Sequence, residues 1–205
     1  MTEAILDQVK INSVLKLFSD GQLQKALDLI DTLMVDCPNE SILFNIKGAC
    51  HAQLGSLEVA VKSYEKAIFI SPDYAKAYFN LAGTLHEMEK LNDSVKNFKK
   101  SLEIEPENEA ALNNLGNVYV DLNEHTLAIS CYSKALAINP DFVTVPDKNI
   151  SYPFGLKNSP VSNQNIKEWL SCDLTLVSTP ESEAFQKKSL SNSPIAAIQG
   201  DSRNK

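Results

Sequence analysis

Side-chain amides recur along this 205-residue chain at a regular spacing. The step from Asn80 to Asn114 is one interval, the step from Asn12 to Asn80 is twice as long, and Ile46 stands midway in that longer step. A side-chain amide offers both a hydrogen-bond donor and an acceptor, which matches the two polar groups of a peptide unit. These asparagines could therefore hold the backbone of an extended peptide, or they could serve only the local structure of the elements that carry them.

The other reactive side chains predict neither catalysis nor metal binding. The three histidines, His51, His86 and His125, have no Cys, Asp or Glu partner at a spacing typical of metal ligands. Gly200-Asp-Ser202 resembles the start of the GDS-type esterases, but no histidine follows Ser202 to act as its general base. Glycine-rich phosphate-binding motifs are also absent from the sequence. We therefore expect a protein that is not an enzyme and that needs no metal or cofactor.

The elements that position the asparagines belong to an internal repeat. Four prolines follow one another at the same interval as the asparagines, and a small residue precedes each of them at a fixed distance. A second small residue lies further upstream in three units, as Gly48, Ala82 and Gly116, and Val14 takes its place in the first unit. This fixed phase predicts a tandem array of one structural unit. The prolines are Pro38, Pro72, Pro106 and Pro140, the small residues before them are Ala26, Ala60, Ser94 and Ala128, and between the two lie Ile30, Tyr64, Phe98 and Tyr132 in constant phase.

Each unit has the apolar periodicity of two consecutive α-helices. The predicted pairs are 7–19 with 23–36, 41–54 with 57–70, 75–88 with 91–104, and 109–122 with 125–138. A residue in the left-handed conformation commonly ends a helix, and Gly21, Gly55 and Asn123 follow three of the first helices. Glu89 takes this place in the third unit, which predicts a less favourable turn. One hairpin cannot bury its apolar face alone, so we expect successive hairpins to stack.

These phased residues resemble the tetratricopeptide repeat family. The resemblance implies an all-α fold, a right-handed α-solenoid of four helical hairpins at about 7–40, 41–74, 75–108 and 109–142, in a domain over 1–142. The first unit matches the family pattern least well, with Val14 and Leu17 in place of glycine and tyrosine. The fourth unit matches it best, through Leu112, Leu115, Gly116, Tyr119, Ala128, Tyr132, Ala135 and Pro140.

In this family the first helices line a concave groove, and the resemblance implies a set of groove residues here. The sequences YFNLAGTL and LNNLGNVY are most similar to repeats of the O-linked N-acetylglucosamine transferase superhelix, in which asparagines hold an extended peptide. The carboxylate clamp of heat-shock co-chaperones is not expected, because the repeats contain no arginine and Lys76 has no matching partner in the next unit. The groove candidates are Asn12, Asn45, Lys76, Phe79, Asn80, His86, Asn113, Asn114, Asn117 and Asp121.

The repeat pattern ends after Phe142. Residues 143–162 contain three prolines among serines and asparagines, which predicts a linker. Residues 163–205 alternate between strand-like and helix-like patterns, so we expect a small α/β tail or the start of a truncated second domain.

One short segment of this tail is predicted to cap the array. Ile166, Trp169 and Leu170 share one face of a short helix around 163–171, and we expect it to fold back over the fourth unit with Trp169 buried. Without a cap the open end of a repeat array is exposed and can self-associate. The residues expected on that open end include Leu127, Cys131 and Leu136.

Charge and composition restrict the partners. Up to Phe142 the chain has 20 acidic and 12 basic residues, a net charge of −8, and the remainder carries +1. An acidic body is repelled by phosphate backbones and anionic lipid, so we expect neither nucleic acid nor membrane as a partner. No basic and apolar leader precedes the repeats, so we expect a cytoplasmic location.

The sequence therefore predicts a module that binds an extended peptide or a protein partner in the concave groove of its repeats. The alternative is the N-terminal, substrate-recruiting half of a larger enzyme, such as a glycosyltransferase that is linked to repeats of this kind.

Overall fold

The computed structural model describes residues 8–139, which form α-helices connected by short turns, with no strand in this range. The helices begin and end within one residue of the bounds that the sequence predicts. The predicted linker and α/β tail lie outside the described residues. In chain order the helices are α1 Gln8–Ser19, α2 Leu23–Asp36, α3 Ser41–Gln53, α4 Leu57–Ile70, α5 Ala75–Glu87, α6 Leu91–Ile104, α7 Glu109–Asp121 and α8 His125–Ile138.

The first helix of every hairpin is followed by the same turn, in which the second residue after the helix has a positive φ. In each turn the N–H of the residue after it donates to a carbonyl five residues earlier, as from Ser56 to His51 at 2.8 Å. This backbone bond satisfies a carbonyl that the end of the helix would otherwise leave without a partner. The predicted strained turn is confirmed, because Glu89 has a φ of 58°. The four residues are Gly21, Gly55, Glu89 and Asn123.

Replacing Glu89 by glycine is expected to raise the free energy of unfolding by about 0.5–1 kcal/mol. The left-handed conformation costs an ordinary residue about 1–2 kcal/mol, and the extra chain entropy of glycine offsets part of that gain. Urea denaturation followed by circular dichroism measures the difference. Glu89→Ala is the control, since alanine removes the same carboxylate but retains the Cβ. Equal midpoints for the two variants would show that strain at this turn does not limit stability.

Within a hairpin, a tyrosine of the second helix packs directly on a glycine of the first. A Cβ added at Gly48 would lie 2.6 Å from the Tyr64 ring, and one at Gly116 would lie 2.5 Å from the Tyr132 ring. Both rings are only 2% exposed. Burial raises the pKa of Tyr64 to about 12, and a hydrogen bond with Thr84 acts in the opposite direction. These two glycines are therefore required for close approach of the helices.

The hairpins stack so that their first helices form an inner layer. Helix α3 contacts both α1 and α5, and α5 also contacts α7, whereas the second helices make no contacts of similar extent with one another within residues 8–139. The layer whose members approach each other more closely lies on the inside of the curve. The first helices thus form the concave face, and the core lies between the two layers.

The prediction for the open end of the array is wrong in part. Leu127 and Cys131 line a valley that α8 shares with α6 and α7, so they face the preceding hairpin rather than the end of the array. On α8 both side chains point towards α6. An additional unit stacked on the end of the array would not cover this face of α8. Trp169, which is predicted to cover the open end, lies outside the described residues.

No described helix is both long and apolar enough to cross a membrane.

The concave face as a candidate binding site

The predicted groove residues all lie on the first helices α1, α3, α5 and α7, but they differ in exposure. Asn12 and Lys76 are exposed, whereas Asn45 and Asn113 are buried, at 4% and 3% exposure. The half-buried members are Phe79, Asn80, His86, Asn114, Asn117 and Asp121. A partner in the groove could reach the exposed and half-buried side chains directly, and the two buried amides only through their neighbours.

A chain of hydrogen bonds joins the second and third hairpins on this face. Asn80 Nδ2 donates to Asn45 Oδ1 at 2.9 Å, and Asn45 Nδ2 donates to the Tyr74 hydroxyl at 3.4 Å. Burial raises the pKa of Tyr74 while the bond with Asn45 acts against it. A primary amide has two N–H groups and a carbonyl oxygen, so this bond uses only one of the polar positions of Asn80. Within residues 8–139 the remaining positions are available to a ligand.

A second contact joins the third and fourth hairpins. His86 Nε2 lies 2.6 Å from Asp121 Oδ2, and their side chains are 28% and 15% exposed. This contact links α5 to α7 in the same way that Asn80 links α5 to α3. No group of three or more His, Cys, Asp or Glu side chains in the described range is placed to hold a metal ion. The pair therefore acts as a link between repeats.

The remaining asparagines of the face have different surroundings. Asn117 Oδ1 accepts a hydrogen bond from the Tyr132 hydroxyl at 2.7 Å, which connects the groove to the packed interior of the fourth hairpin. Asn12 Oδ1 accepts one from Gln8 Nε2 at 3.0 Å on the exposed surface of α1. Asn114 is half-buried on α7. Asn80 and Asn114 are thus the half-buried members of the repeated amide position, and they lie on the neighbouring first helices α5 and α7.

Gly83 leaves a gap in the floor of the concave face. A Cβ at this position would have no heavy atom within 4 Å. Phe79, Asn80, His86 and Glu87 stand three or four residues away on α5, so they surround the gap on the same face. The backbone of a ligand could approach α5 closely here, because glycine presents no side chain.

The links between hairpins were not predicted from the sequence, although a weak signal exists. Asn45 and Asn80 are 35 residues apart, and so are His86 and Asp121. A separation of one period plus one residue places two side chains on facing turns of adjacent first helices. In a repeat of known period, polar residues at this separation are therefore a signal for such links.

Two family models match the chain. The model described as "Tetratricopeptide repeat" matches residues 109–142, and the model described as "TPR repeat" matches residues 50–88 and 83–123. Together they confirm that residues 50–142 consist of tetratricopeptide repeats.

Solved structures of similar fold support this assignment. The crystal structure of MamA superposes with a TM-score of 0.59 at 21% identity, over 68% of this chain and 78% of that one. MamA from Desulfovibrio magneticus RS-1, residues 41 to the end, gives 0.58 at 22% identity, over 63% and 73%. The first TPR of Spaghetti (RPAP3), bound to the HSP90 peptide SRMEEVD, gives 0.55 at 25% identity, over 56% of this chain and 94% of that one.

Proposed function

We propose that this chain, whose residues 50–142 are tetratricopeptide repeats, binds an extended segment of a partner protein on its concave face. The observation that carries the proposal is the pairing of two partly accessible amides, Asn80 and Asn114, with the open floor at Gly83. The amides supply hydrogen bonds to the ligand backbone, and the gap gives that backbone room to approach.

The spacing of the two amides suits an extended chain. Packed helices lie about 8–10 Å apart, which sets the distance between the same places on α5 and α7. An extended peptide advances about 3.3 Å per residue, so Asn80 and Asn114 would reach main-chain groups about three residues apart. Amide contacts to main-chain groups do not read the side chains of the ligand. We therefore propose a ligand that is selected mainly for an extended, accessible backbone.

The charges of the face argue against an acidic ligand like the one in the RPAP3 structure, whose peptide SRMEEVD has two consecutive glutamates. Among the predicted groove residues Lys76 is the single lysine and Asp121 is acidic, and a second carboxylate, Glu87, follows His86 on α5. A carboxylate-rich peptide would gain little attraction here. We propose instead that the ligand is neutral or weakly basic near α5 and α7.

Alanine at Asn80 or Asn114 is expected to weaken ligand binding by about 5- to 150-fold, the equivalent of about 1–3 kcal/mol for a lost hydrogen-bonding partner. The ligands are peptides selected from a random display library on the full chain, and dissociation constants are measured by fluorescence anisotropy. Asn114→Ala should leave the melting temperature within a few degrees. Asn80→Ala also leaves Asn45 Oδ1 buried without its partner and should lower the melting temperature, so binding by this variant is measured well below its unfolding transition.

Two variants sharpen this test. Gly83→Phe places a ring in the open floor and is expected to abolish binding without unfolding the protein. Asn92→Ala, at an exposed asparagine on the second helix α6, is the matched control and should bind normally. If the peptides bind both groove alanine variants as tightly as the wild type, the asparagines serve only the solenoid and the proposal fails.

A further inference from the structure

The outer side of the repeats has a valley that the concave binding face does not include. It lies between α6 and α8 with α7 at its base, and it is an open groove with a volume of about 420 Å³. Its floor is apolar, and charged side chains stand along its sides. Leu112 and Leu115 of α7 form the floor, and the sides are lined by Lys99, Leu102 and Glu103 of α6 and by Leu127 and Lys134 of α8. We call this surface the α6–α8 valley.

The α6–α8 valley differs from the corresponding valley one repeat earlier. Leu127 is 44% exposed, and the equivalent residue of the third repeat is Asp93. Lys99 belongs to the third repeat, and the equivalent residue of the second repeat is Glu65, which is acidic instead of basic. At these two places an acidic side chain of the earlier valley is thus replaced by an apolar one and by a basic one, whereas the place of Lys134 holds a lysine, Lys100, in the earlier repeat as well.

Both lysines of the valley face its interior. Lys99 Nζ lies 5.8 Å from the centroid of the Tyr119 ring, within the range of a cation–π contact. Burial raises the pKa of the Cys131 thiol, and the nearby charges of Lys134 and Lys99 act in the opposite direction. Neither lysine takes part in an ion pair among residues 8–139. In a domain with a net charge of −8, the valley thus places two lysines, with no ion pair among the described residues, beside an apolar surface.

We propose that residues 163–173 of this same chain occupy the α6–α8 valley. The segment reads NQNIKEWLSCD, with Ile166, Trp169 and Leu170 spaced for one helical face and with Lys167, Glu168 and Asp173 as its charged residues. These residues lie outside the described part of the chain. The apolar stripe matches the leucines of the valley, and Asp173 shares the helical face of that stripe, so its carboxylate can meet a valley lysine. Glu168 would lie on the opposite, solvent side of such a helix.

The connection between the valley and the segment is long enough. Helix α8 ends at Ile138, and 14 residues of helix span about 21 Å. The residues from 139 to 162 can extend over about 80 Å, at about 3.3 Å each. Tethering also raises the effective concentration of the segment to the order of millimolar, so even a weak apolar contact is occupied. The concave face stays accessible, because the valley lies on the opposite side of the first helices.

Trp169 is the only tryptophan of the chain and reports directly on this contact. In the full-length wild type we expect a blue-shifted emission maximum and weak quenching by iodide, both independent of protein concentration. Leu127→Asp, which installs the residue of the preceding repeat, should shift the emission to the red and raise the quenching constant severalfold.

A matched control is available in the second repeat. Val59 occupies the same place as Leu127 and is also 44% exposed, so Val59→Asp should leave the emission unchanged. Lys99→Glu, at an exposed site, should produce part of the shift even if Leu127→Asp disturbs folding. Exposed Trp169 in the wild type, an equal response to Val59→Asp, or buried Trp169 that neither valley variant affects would each overturn the proposal. So would a blue shift that appears only at high concentration, since that would mean a second copy of the chain fills the valley.

Discussion

Replacing Tyr132 by alanine is expected to lower the free energy of unfolding by about 3–5 kcal/mol, the range for emptying a buried aromatic site. The Tyr132 ring is 2% exposed and lies against Gly116, and its hydroxyl donates to Asn117 Oδ1 at 2.7 Å. Alanine removes both the packed volume and the hydrogen bond. Without the ring, α7 and α8 lose the contact that holds the fourth hairpin closed.

Urea denaturation followed by far-ultraviolet circular dichroism measures this loss as a lower midpoint at similar slope. Tyr132→Phe is the control, since it keeps the ring and removes only the hydroxyl, at an expected cost of about 1 kcal/mol. If the alanine variant unfolds at the wild-type midpoint, the packing of the fourth hairpin differs from the one described.

Alanine at Gly116 is expected to destabilise the protein by about 1–3 kcal/mol, the usual cost of overpacking a core. Its new Cβ would stand 2.5 Å from Tyr132 Cε1 and within 3 Å of two further ring atoms. Helix propensity alone predicts the opposite sign, because alanine is favoured over glycine in a helix by about 1 kcal/mol. The sign of the change therefore decides between packing and propensity.

Gly83 provides the comparison for this experiment within the same protein. It also lies inside a first helix, but its added Cβ would meet no atom within 4 Å. Gly83→Ala should raise the free energy of unfolding by about 0.5–1 kcal/mol. The two variants are compared by thermal and urea denaturation on the same preparation. A stabilised Gly116→Ala variant would mean that the tyrosine ring does not sit on the glycine.

The helices could be predicted from the sequence because each rule that fixes them is local. Apolar residues at helical spacing set the helices, and the residues Gly21, Gly55 and Asn123 set the turns that follow three of them. Even the positive φ of Glu89 follows from its phase in the repeat. The packing of Tyr132 on Gly116 could also be anticipated, since a small residue and an aromatic recur in the same phase.

The polar contacts of the candidate site could not be predicted in the same way. Whether Asn80 faces a ligand or bonds to Asn45 depends on how far one hairpin is rotated against the next, and no local rule fixes this angle. The same holds for His86, which the sequence placed on the groove side without identifying Asp121 as its partner. The predicted direction of the Cys131 side chain was wrong for a related reason. One face of α8 packs against the preceding repeat and another would pack against a following repeat, and helical periodicity does not distinguish the two faces.

The bonds from Asn80 to Asn45 and from His86 to Asp121 also restrict how the solenoid can bend. Both bonds span adjacent first helices, on the inside of the curve. Straightening the array would lengthen both bonds, and tighter curvature would press together atoms that already lie 2.9 and 2.6 Å apart. The two joints around α5 are therefore expected to hold their present curvature in both directions. A partner that requires a wider or a narrower groove would have to stretch or compress these contacts, so a partner that fits the present curvature is favoured.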